Sequence, residues 1–132
     1  MANIVPFVGV YLVLVGLMLG SFINMAADRV PRGESLIAPG SHCRACGRRL
    51  NAIDLLPVAG YMLRGGRCAT CRTPIGASAP IVEALCGGLA AMPAIGFGAW
   101  PGAAVGLGLV VAYGLVVVSL AVRRGRRRDT PG

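Results

Sequence analysis

Charge is scarce in this chain, and its absence is concentrated. Charged side chains make up 14% of the residues and Lys does not occur, whereas a soluble domain carries about a quarter charged residues. Met1–Ala27 has no charged side chain, and neither does Ala84–Val122, a run of 39 residues. With 55% hydrophobic residues and a mean hydropathy of +0.71, a wholly soluble globular architecture is excluded. No Lys or Arg precedes Arg29, so the first apolar stretch lacks the basic start of a cleaved signal peptide. It is also longer than a usual signal-peptide core, and is read as a retained membrane span. No Gly-rich cofactor loop on a Rossmann-like unit and no thioredoxin-like βαβ unit are visible. The sequence therefore offers no local support for a nucleotide-type cofactor.

What is present fits a bilayer. A single helix of 39 residues would be about 58 Å long, against a hydrocarbon core of about 30 Å. Two helices fit better, with a turn near Gly98-Ala99-Trp100-Pro101-Gly102, where Pro and Gly break the helix and Trp suits the water–lipid boundary. Three transmembrane helices are expected, at about 4–27, 80–98 and 102–122. All 13 cations are Arg; eight lie in residues 28–79 and five follow Val122. Three spans put that loop and tail on one side, which the positive-inside rule makes the cytoplasm, with the N-terminus outside. The run Arg123-Arg124-Gly125-Arg126-Arg127-Arg128 is read as a stop held by anionic lipid, not as a nucleic-acid patch. The expected architecture is an all-α membrane protein. It comprises helix 1 (1–27), a zinc-ribbon-like cytoplasmic loop (28–79), helices 2 and 3 (80–122) and a basic tail (123–132).

The loop carries the chemistry. Cys43-x-x-Cys46 and Cys68-x-x-Cys71 are separated by 21 residues, enough chain to fold back and close a tetrahedral four-sulfur site. Thiolates at this spacing favour structural zinc, which leaves no open position for water or substrate. Two disulfides need an oxidising compartment, which the Arg-rich loop argues against, and redox cycling of the cysteines is a further alternative. The loop is too short for a large core, so a metal is a reasonable staple. Cys86, inside the second apolar run, is read as a packing residue outside the metal site.

Several polar residues mark contacts. Gly16, Gly20 and Asn24 share one helix face; the glycines permit close helix approach, and Asn24 can hydrogen-bond a neighbour. Arg29 is expected to meet anionic headgroups or to pair with Asp28 or another acid. Asp54 is expected to cap the short apolar segment 54–63, which should lie along the membrane face or against the helices. Glu83 is read either as a first-turn carboxylate of a helix starting at Pro80 or as a buried partner for a loop Arg.

The order Gly20-Ser21-Phe22-Ile23-Asn24, Arg29-Val30-Pro31, Cys43/Cys46, Asp54-Leu55-Leu56-Pro57, Arg67-Cys68/Cys71, Pro74-Ile75 and Pro80-Ile81-Val82-Glu83 resembles the N-terminal domain of type IV prepilin leader peptidases. The resemblance runs from about Gly16 to Ala90. It implies a bacterial inner-membrane protein with a cytoplasmic, metal-bound cysteine loop. It implies prepilins or pseudopilins of type IV pili or type II secretion as partners, cut at the leader and then methylated with S-adenosylmethionine. Gly76, Ser78 and Ala79 depart from the family's usual Ser, Arg and aromatic residue.

The resemblance also implies two membrane-associated aspartates as the peptidase centre, one of them in Gly-x-Gly-Asp. Two carboxylates at one site can share a proton and activate water. Here no Asp lies between Asp54 and Asp129, and no Gly-x-Gly-Asp occurs. The acids are Asp28, Glu34, Asp54, Glu83 and Asp129, none of which is expected to be catalytic. The leading expectation is a zinc-bearing membrane module that works with a separate catalytic subunit or binds prepilin leaders. The alternatives are a methyltransferase half and a non-catalytic membrane zinc-ribbon adaptor.

Overall fold

The computed structural model describes residues 4–128. Helix α1 spans Val5–Arg29 and runs into a single 3-10 turn, Val30–Arg32. A loop containing the short helix α2, Ala59–Leu63, leads to α3, Ser78–Phe97, and α4, Ala99–Arg128. Among the described residues there is no extended strand, only the isolated bridges His42–Arg49 and Arg67–Pro74. Three helical stretches, Val5–Arg32, Ser78–Phe97 and Ala99–Arg127, are long and apolar enough to cross a membrane.

The helix ends differ from expectation for local reasons. The break between α3 and α4 narrows to Gly98, whose φ of +82° costs a glycine little. Pro101 falls in the first turn of α4, where its missing N–H is not needed, so it does not delay the helix. At the other end α4 continues past Val122 through Arg128, because Arg is a good helix former. The basic run is thus a helical extension of the last span. Asp129 lies outside the described residues. Pro93 sits within α3, which remains helical around it.

Small residues set the packing. In lipid the hydrophobic effect does not drive helices together, so close backbone approach and dispersion must do so. A Cβ on Gly16 would run into the carbonyl of Cys86 and come within 2.8 Å of the Gly87 Cα. One on Gly20 would come within 2.7 Å of the Glu83 Cα. α1 and α3 are therefore antiparallel and in near contact along this face. Gly102 and Gly106 of α4 press in the same way against Ala94 and Ala90 of α3. The core is a narrow seam of Leu12, Ile23, Cys86, Ala90, Ala94 and Val110.

α4 returns parallel to α1, with Gly114 beside Ile23 and Gly125 beside Pro31. Hence the loop and the Arg-rich end of α4 emerge at the same end of the bundle.

Candidate metal centre

Each Cys-x-x-Cys forms a knuckle closed by its own backbone. In the first, Cys43 N–H donates to the Arg48 carbonyl (2.8 Å) and Gly47 N–H to the Cys43 carbonyl (2.8 Å). In the second, Cys68 N–H donates to the Thr73 carbonyl (3.0 Å) and Arg72 N–H to the Cys68 carbonyl (3.1 Å). The residue after each second cysteine is left-handed: Gly47 at φ +71° and Arg72 at φ +58°. Glycine suits that position; Arg72 holds it against the penalty that a Cβ brings there.

The two knuckles face each other. Cys43 Sγ lies 3.7 Å from Cys71 Sγ, and Cys46 Sγ lies 3.9 Å from Cys68 Sγ. All four sulfurs fall within 4.8 Å of one another. A tetrahedral site with metal–sulfur bonds of about 2.3 Å requires sulfur separations of about 3.8 Å. The donor set and its spacing therefore fit a four-thiolate metal site, and the four cysteines can hold a metal ion.

The electrostatics are uneven. Backbone N–H groups of Cys71 and Thr70 bring the Cys68 thiol down to about 6. The Thr73 side chain and backbone lower that of Cys71, with Thr73 Oγ1 3.2 Å from its sulfur. At Cys46 the Arg48 N–H acts to lower the pKa, but the neighbouring sulfur of Cys71 and burial outweigh it, giving about 11. One thiolate forms readily while another is opposed by its neighbours. Four thiolates at this distance call for a cation to neutralise them.

Asp54 ties the knuckles together. Its carboxylate, only 5% exposed, accepts from Arg48 Nη2 and Arg64 Nε, both at 2.6 Å. It also accepts from Asn51 N–H at 3.1 Å, while Asn51 Oδ1 accepts from Asp54 N–H at 3.0 Å. Burial works to raise the Asp54 pKa, but the Asn51 N–H and the two guanidiniums hold it at about 2. Asp54 thus closes the turn at 51–54, and the expected cap on the apolar segment is not what it forms, because α2 starts only at Ala59. Arg48 reaches both Asp54 and Cys68, and these contacts raise its own pKa.

Two further contacts differ from expectation. Arg29 is 8% exposed, and its guanidinium donates to the Ser35 carbonyl (2.8 Å) and the Pro39 carbonyl (2.9 Å). It folds the chain leaving α1 instead of meeting headgroups or an acid, because carbonyls fill the space around it. Arg32 and Arg44 take Asp28 instead.

Glu83 lies in the second turn of α3, since that helix begins at Ser78. It is 6% exposed, and its Oε2 accepts from the Val58 backbone N–H at 2.6 Å. It therefore binds the loop through main chain, and among the described residues no Arg forms an ion pair with it. Val58 itself is left-handed, at φ +56°, which a β-branched residue adopts only under constraint.

Asn24 lines a cavity beside Asp28 and Arg44, and Arg67 Nη1 reaches the Arg72 carbonyl at 3.4 Å. The sequence reading missed Arg48, Arg64 and Val58. The first two had a signal, as cations flanking the Cys pairs; the strained Val58 had none.

Comparison with known proteins comes to the same region. The bacterial peptidase A24 N-terminal domain matches residues 14–97. A prepilin leader peptidase/N-methyltransferase of Myxococcus xanthus is 37% identical over 82 residues, covering 62% of this chain and 24% of that protein. One from Burkholderia pseudomallei is 34% identical over 127 residues, 77% of this chain and 41% of that protein. One from Bacillus subtilis is 37% identical over 87 residues, 66% of this chain and 35% of that protein. The chain spans less than half the length of these relatives. No solved structure matches it.

Proposed function

The chain belongs to the bacterial peptidase A24 family, through its N-terminal domain, and on that premise we propose that it is a zinc-binding membrane module for processing prepilins or pseudopilins. The observation that carries the reading is the convergence of Cys43, Cys46, Cys68 and Cys71 at one end of three membrane-length helices, inside the matched region. Zinc at a four-thiolate site is structural and would fold the loop without taking part in chemistry. In this reading residues 28–79 form the metal-bound unit and the flanking spans hold it at the inner membrane. The Arg excess puts the loop and the basic end of α4 in the cytoplasm and the N-terminus outside. Prepilin leaders and an aspartate-bearing catalytic unit are its partners, anionic lipids hold its Arg-rich edge, and nucleic acid is not among them.

These residues carry no Gly-x-Gly-Asp and no Asp between Asp54 and Asp129. The proposed module therefore does not cleave by itself. Purified chain incubated with a prepilin should bind a single zinc and leave the leader uncut. Leader cleavage by this chain alone would overturn the reading. Metal-free protein whose cysteines cycle between thiol and disulfide would replace zinc with redox chemistry.

A second reading follows from the relatives' name, which includes N-methyltransferase. Methyl transfer would require S-adenosylmethionine to bind here. Calorimetric titration with that cofactor decides the point: no heat of binding removes it.

A further inference from the structure

A cavity of about 620 Å³ opens between the last turn of α1 and the two cysteine knuckles. Its walls carry Arg44, Arg48, Arg64 and Arg67, with Asp28 and Asp54 as the acids. Arg44 is taken up by Asp28 and, at 3.7 Å, by Glu34. The other three are under-partnered. Arg48 and Arg64 share the single carboxylate of Asp54, each through one nitrogen, and Arg48 also reaches Cys68. Arg48 Nε is buried without a hydrogen-bond partner. Arg67 has the Arg72 carbonyl, at the long distance of 3.4 Å. A guanidinium offers five N–H donors, so two of them on one carboxylate and a third on one carbonyl leave most donors unused.

Net charge points the same way. Residues 28–79 hold eight Arg against Asp28, Glu34 and Asp54. The two net negative charges of a zinc tetrathiolate still leave that excess positive. The rest of the wall is partly apolar, from Leu50, Pro74 and Ile75. A second cavity of about 500 Å³ shares Asn24, Asp28, Arg44, Ile75 and Gly76 with the first and continues to Ser78 and Ala79, where α3 begins. The pair therefore leads from the knuckles to the edge of the membrane-length helices.

We propose that this cavity binds a phosphate-bearing anion, held by Arg48, Arg64 and Arg67. A phosphate group suits the site because its several oxygens can accept from guanidiniums arriving from different directions, while Asp54 already bridges two of them. The phosphate has two possible sources with the same chemistry: the headgroup of an acidic phospholipid reaching in past Ser78, or a soluble phosphate compound.

The test uses the full chain, zinc-loaded, in nanodiscs. Phosphatidylglycerol discs, phosphatidylcholine discs, and phosphatidylcholine discs titrated with inorganic phosphate are compared by native mass spectrometry and ³¹P NMR. Selective retention of phosphatidylglycerol supports the proposal with a lipid source. Saturable binding of inorganic phosphate supports it with a soluble source.

Two variants bear on the site. A Cβ on Gly76 meets nothing nearer than Ser78 Oγ at 4.0 Å, and Gly76 is outside the left-handed region, so Gly76→Leu fills the cavity without breaking a bond. Arg67→Gln removes one anion donor and leaves Asp54 paired. Each should weaken phosphate binding about tenfold or more with zinc content unchanged. If Gly76→Leu loses its metal, Arg67→Gln decides alone. Equal retention of both lipids with no phosphate binding, or undiminished binding in an Arg67→Gln protein that keeps its zinc, overturns the proposal.

Discussion

At the scale of single residues, the loop is organised by donors that converge on a few acceptors. Asp54 is the clearest case: it is buried, yet held ionised by Arg48, Arg64 and the Asn51 N–H. A carboxyl near pH 2 when folded, against about 3.9 when unfolded, stabilises the loop fully above pH 4. That contribution is lost as the pH falls from about 4 through 2. Carbon-13 NMR of the Asp54 carboxyl should find a midpoint near 2 in the wild type, moving upward in Arg64→Gln; a midpoint near 4 in both would refute the hub.

Arg72 offers a second case. Its left-handed backbone costs about 1 kcal/mol, so Arg72→Gly should stabilise the loop by that amount and slow zinc loss to a chelator. Gly47→Ala should do the reverse. A faster zinc loss in Arg72→Gly would mean that its side chain, and not its backbone, is what matters.

At the scale of elements, two contacts hold the structure: glycine-lined helix faces, and Glu83 docking the loop on α3. Gly20 has the α3 backbone directly over it, whereas Gly9 on the same helix has nothing within 4 Å. Gly20→Leu should separate α1 from α3 and lower the thermal stability in detergent by several degrees or more, while Gly9→Leu should leave it unchanged. Equal effects of the two would contradict the packing. Glu83→Ala leaves the Val58 N–H without its partner, at a cost of about 1–3 kcal/mol. It should release the loop to protease between Pro57 and Leu63 before the helices melt; simultaneous loss of both would show that the bond does not act as a local anchor.

At the scale of the whole molecule, three membrane-length helices put the cysteine loop and the Arg-rich end of α4 at one end. If Arg sets the orientation, that end is cytoplasmic. After zinc removal, Cys43 and Cys71 should resist a membrane-impermeant thiol reagent in intact cells and react in inverted vesicles. Labelling in intact cells would reverse the orientation. Five apolar side chains of the loop, Ile53, Leu55, Leu56, Met62 and Leu63, are exposed beside the bundle. The Val58–Glu83 bond ties this segment to α3 near its start.

The apolar runs, the charge gaps and the spacing of Cys43, Cys46, Cys68 and Cys71 were legible in sequence because each depends on residue type and separation along the chain. They specified three long helices and a four-sulfur loop. The end of α4 was not legible, because helix formers continue past the last apolar residue, and the change from apolar residues to Arg at 122/123 does not stop a helix. The roles of Arg29, Asp54 and Glu83 were likewise decided only in three dimensions. A buried charge takes whichever donor or acceptor the fold brings within about 3 Å, and for these three the partners are backbone groups or side chains that no spacing rule couples to them.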